Sequence, residues 1–121
     1  MRNNTMEMLN LELGLNIQEI QIALAKQNKL MRESMRLQEQ YEEVQERILD
    51  TYETGDEEEF SQLMEEVKSI KSAMIENTFV MSNLEIKIND LSAKESELTN
   101  IIQELNNNYN IIAKYASLLE R

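Results

Sequence analysis

From Phe60 to Leu119 the sequence repeats apolar residues every 3.5 positions without a slip. Of nine a and nine d positions, sixteen are apolar in a chain that is only 41% hydrophobic. The a set runs Phe60, Val67, Met74, Met81, Ile88, Glu95, Ile102, Tyr109, Ala116, and the d set Leu63, Ile70, Asn77, Leu84, Leu91, Leu98, Leu105, Ile112, Leu119. A stripe of that period on one helix has to be covered by another helix, so it specifies a coiled-coil seam. Only Asn77 and Glu95 break it. Polar residues in such a seam lower stability while fixing register and partner number, which makes these two candidate register-setting residues.

A chain of 121 residues without proline, where an average one would hold roughly six, can be helical almost throughout. Its two glycines are Gly14 and Gly55. The one strong break is Tyr52-Glu53-Thr54-Gly55-Asp56-Glu57-Glu58-Glu59. There glycine suits a left-handed helix end, and Asp56 with Glu59 has the spacing of a capping box. The expected elements are a helix over 5–52, a turn at 53–56 and a helix over 57–120, with lengths of roughly 70 Å and 95 Å. Ser92-Ala93-Lys94-Glu95, preceded by Asn89 and Asp90, also spells a capping box, so a break near 89–92 competes with continuity. Register passes through it unshifted, which favours one helix.

The first helix has a weaker seam through Met6, Leu9, Leu13, Ile20, Ala23, Leu30, Leu37, Tyr41, Val44 and Ile48, interrupted at Asn16, Gln27 and Ser34. Ile17, Leu24 and Met31 flank it and widen the stripe. A short turn makes the two helices antiparallel neighbours. The expected fold is thus all-α: a single long antiparallel helical hairpin, completed into a bundle by dimerisation or by a partner helix. Pairing residue 48 with 60 sets Tyr41 opposite Val67, Ile20 opposite Ile88 and Met6 opposite Ile102. Asn77 then falls near Gln27 and Asn28, with which it could form a polar layer.

About 17 residues at the C-terminus extend past helix 1 in that pairing, and they are apolar where a solvated end would be polar. Leu105, Tyr109, Ile112, Tyr115, Leu118 and Leu119, with Leu11, Leu15 and Ile22 of helix 1, form the candidate partner or oligomer interface. Ile75, Phe79, Val80 and Ile86 form a secondary off-seam patch.

Chemistry is sparse. Histidine and cysteine are absent, which removes imidazole catalysis, thiolate chemistry and the usual metal ligands. Glu39, Glu42, Glu43 and Glu46 read as a solvated helix face, and no glycine-rich phosphate loop occurs. No enzymatic activity, cofactor or metal is expected. The net charge is −11, with thirteen acidic and four basic side chains between residues 27 and 66. That field opposes nucleic acid and anionic lipid. No run reaches the ~18 apolar residues of a membrane span, and no signal peptide is legible, so a cytoplasmic setting is expected.

These features indicate a protein–protein interaction module whose partner is a helical segment of a client or a second copy of itself, as a homo- or hetero-oligomer. In size, acidity and helicity the chain resembles the small acidic helical chaperones of bacterial flagellar and type III export, which implies escort of helical clients during export or assembly. The alternative is a spacer, stalk or scaffold subunit acting by self-assembly. A third reading, an acidic inhibitor mimicking nucleic acid, has only the charge behind it.

Overall fold

In a computed structural model describing residues 2–120, two long helices pack against each other as a hairpin: α1 spans Arg2–Thr54 and α2 spans Glu57–Leu119. α2 is continuous through residues 89–95, so the capping-box spelling at Ser92 starts no new helix. The heptad explains why. Ile88, Leu91 and Leu98 are covered, and an interruption would turn the next heptad away from α1.

The turn follows from two residues. Gly55 has φ of 76°, the left-handed conformation that lacks a steric penalty only for glycine. Its N–H reaches the Thr51 carbonyl at 2.9 Å and satisfies one of the carbonyls orphaned by the end of α1. Asp56 then caps α2: its Oδ1 accepts from the Glu59 N–H at 3.1 Å, and its carbonyl accepts from Phe60 N at 3.0 Å. Glu57, Glu58 and Glu59 fill the first turn, where the helix dipole favours acids.

Contacts divide the chain into two compact units: Leu24–Ile86, which contains the turn, and Met1–Ala23 with Lys87–Arg121, which contains the termini. In the turn unit the core is Val44, Leu63 and Val67, with Tyr41, Ile48 and Ile70 half-buried against it; Leu63 is 1% exposed. Phe60, the first a residue, is exposed, because it lies in the first turn of α2 just after α1 has ended. Burial of the α2 seam therefore begins at Leu63. Arg47 and Glu66 pair across the seam at 3.6 Å, and the Lys71 ammonium lies 5.8 Å from the centre of the Tyr41 ring. In the terminal unit, Ala23 and Leu98 are buried among half-buried Met6, Leu9, Leu13, Ile20, Ile88 and Ile102.

On α2, every a and d position from Leu63 to Tyr109 is buried or half-buried, and outside that set only Ala73 and Thr99 are. On α1, the three residues that look like interruptions belong to the seam. Asn16 is buried, and Gln27 and Ser34 are half-buried. By contrast Ile17, Leu24 and Met31 remain exposed, so the wider apolar stripe is not covered within one chain.

Candidate partner-binding surface

The terminal unit places the candidate surface. Its geometry starts from Asn16, which is 4% exposed and donates from Nδ2 to the Leu91 carbonyl at 2.8 Å. That carbonyl already accepts a helical bond, so the side chain uses its second lone pair. Lys94 reaches Glu12 across the same layer at 3.3 Å, both side chains being half exposed. A pair this wet contributes well under ~1 kcal/mol, but its sign suits antiparallel neighbours. Glu95, the polar a residue, is half-buried here.

Further along α2, Ile102, Leu105 and Tyr109 are half-buried, and from Asn110 to Glu120 every residue is exposed. The uncovered stretch is therefore shorter than the 17 residues expected, because α1 starts at Arg2, one turn before the expected residue 5. Leu105 and Tyr109 belong to the edge of the covered seam. Ile112, Tyr115, Leu118 and Leu119 are open, joined by Ile111; Leu119 is 85% exposed. Ile112, Ala116 and Leu119 continue the same a and d positions that α1 covers lower down. On α1, Leu11, Leu15 and Ile22 are all exposed, with Met8 beside them. Met8 and Ile111, apolar residues of the same two ends, lie seven residues from Leu15 and Leu118 and so stand on the same faces.

In the turn unit, Asn77 is 7% exposed and donates to the Leu30 carbonyl at 3.0 Å and to the Ser34 hydroxyl. This corrects the expectation of Gln27 or Asn28. Helical side chains lean toward their own N-terminus, and on antiparallel helices that direction on α2 is toward higher numbers on α1. No buried side-chain nitrogen or oxygen among the described residues lacks a hydrogen-bond partner. The secondary patch is exposed: Ile75, Phe79, Val80 and Ile86 stand off the seam, and Val80 with Leu84 and Leu30 floors a shallow groove rimmed by Lys26, Lys29 and Glu33.

Glu33 is held below the ordinary carboxylate range, first by its hydrogen bond from Arg36 one turn away, and Arg36 is raised by the same contact; both lie at the surface. Among the described residues no group of His, Cys, Asp and Glu could hold a metal ion, and no helix is long and apolar enough to cross a membrane.

No protein-family model, curated protein or solved structure matches the chain.

Proposed function

We propose that this chain is a non-enzymatic coiled-coil interaction module, a small acidic chaperone or adaptor that binds helical segments of protein partners during export or assembly. The observation that carries the reading is the seam on α2 continuing in register past its cover. Ile112 and Leu119 are seam residues by position, yet they stand in solvent with Ile111, Tyr115 and Leu118. Each large apolar side chain gains on the order of 1.5 to 3 kcal/mol on burial, and a helix laid along this stretch supplies that burial. The exposed methionines Met8, Met31 and Met35 add adaptable surface, which suits partners of differing shape. The acidic turn unit repels anions and leaves protein as the partner class.

The test is co-purification from the native cell with the intact chain and with two variants. One ends at Tyr109; the other carries Ile112→Glu and Leu118→Glu. Both keep the covered seam. Partners identified by mass spectrometry should be lost from both variants, and a truncated chain that retains every partner removes the surface from consideration.

A further inference from the structure

Resting on that reading, we infer that in the absence of a client the surface closes on a second copy of this chain. The dimer is reciprocal: residues 110–120 of each copy lie along the outer stripe of Met8, Leu11, Leu15 and Ile22 on α1 of the other.

Four observations fix this occupant. The first is continuity. α1 covers α2 as far as Tyr109, and beyond it the a and d positions Ile112, Ala116 and Leu119 face the place a further helix would take. A second copy offers its α1 to them from the side, with the inner face still on its own α2 and the outer stripe turned to the visitor. The second is angular. At about 100° per residue, Met8, Leu11, Leu15 and Ile22 fall within an arc of about 60°, and Ile111, Ile112, Tyr115, Leu118 and Leu119 within about 120°. Both are single stripes, a few turns long, on exposed faces.

The third is area. At roughly 90 Å² per large apolar side chain, the five on α2 offer about 450 Å², and the four on α1 raise this to about 800 Å². A specific dimer buries about 800 Å² per partner, so the α2 stretch pairing with itself falls short and the reciprocal arrangement reaches the mark. The fourth is charge. Residues 4–23 carry Glu7, Glu12 and Glu19 and no basic side chain; Glu12 already pairs with Lys94 of its own α2, which leaves Glu7 and Glu19 to face a visitor, whereas Lys114 borders the apolar arc on α2. The reciprocal arrangement runs Lys114 along those acids. Pairing two α2 stretches about a twofold axis near Tyr115 sets one Lys114 beside the other. With both contacts made between the same two copies about a twofold axis, the assembly closes at two and does not propagate.

The chain has no cysteine, so engineered ones report contacts without background. Sedimentation velocity on the intact chain should show a dimer at about 10 µM, and Leu15→Glu and Leu118→Glu should each weaken it at least about tenfold with helicity unchanged. Mixing a Leu15→Cys chain with a Tyr115→Cys chain should give a mixed disulfide between copies. A chain monomeric to about 100 µM overturns the inference, as does Tyr115→Cys cross-linking only with itself, or growth beyond a dimer. These outcomes are separable from failure of the broader reading: a monomer whose Leu118→Glu variant still loses its co-purifying partners removes the dimer and leaves the partner-binding surface standing.

Discussion

Replacing Asn77 by leucine should raise the melting temperature. The carboxamide is 7% exposed and makes two cross-helix bonds, to the Leu30 carbonyl and the Ser34 hydroxyl. Neither acceptor is stranded by its loss. The Leu30 oxygen keeps its own α1 ladder bond, and the Ser34 hydroxyl can turn to that same carbonyl four residues back. The loss is then about 1 kcal/mol for bonds to groups with alternatives. Leucine at a site this buried gains about 2 kcal/mol. The net, about 1 kcal/mol, corresponds to roughly 3–6 °C for a chain of this size. Melting followed by far-ultraviolet circular dichroism at several concentrations measures it, and Asn77→Ala, which lacks the compensating burial, should melt lower than wild type. The second readout is specificity. A slip of one heptad would bring Asn77 opposite Gln27 or Tyr41 and take Asn16 away from Leu91, so loss of Asn77 should broaden the association states seen by light scattering. If Asn77→Leu melts at or below wild type and associates identically, the polar layer does not trade stability for specificity and the reasoning is wrong.

Leu63→Ala removes the most buried side chain of the turn unit and should cost about 2–4 kcal/mol in urea unfolding, while Leu118→Ala, at an exposed site, should leave the stability of the monomer within about 0.5 kcal/mol. Gly55→Ala has open space for its Cβ but must hold a left-handed φ of 76°, so it should destabilise by about 1–2 kcal/mol, read as a lower urea midpoint with an unchanged slope.

Much of this architecture is legible in one dimension because a coiled coil is itself nearly one-dimensional. The a and d residues from Leu63 to Tyr109 could be read directly, since a period of 3.5 leaves one choice of face. Gly55 and Asp56 could be read because left-handed backbone and an N-cap each favour few residue types. Asn16 and Ser34 were harder. A count of apolar positions scores them as defects, and their role emerges only once α2 presents the Leu91 carbonyl and Asn77 to them. The partner of Asn77 depended on the tilt of side chains along the helix, which residue pairing ignores. The candidate surface was legible as a mismatch in helix length. Its border moved to Asn110 because the first turn of α1 lies among polar Asn3, Asn4 and Thr5, where no hydrophobic pattern marks a start.

The bond from Asn16 to the Leu91 carbonyl joins residues 75 apart in sequence, and that from Asn77 to the Leu30 carbonyl joins residues 47 apart. Meeting directly from an unfolded chain, either pair closes a long loop before gaining anything. If the layers around Leu63 form first, each further layer has only about one heptad on either side left to order, so the hairpin zips from Gly55 outward. The order of assembly is then also the order of opening in reverse. Amide hydrogens near Leu13 and Leu98 should exchange sooner than those near Val44 and Val67. Any helix that seats beyond Tyr109 docks against the last turns to form, and its binding energy acts as a latch on the folding of the whole chain.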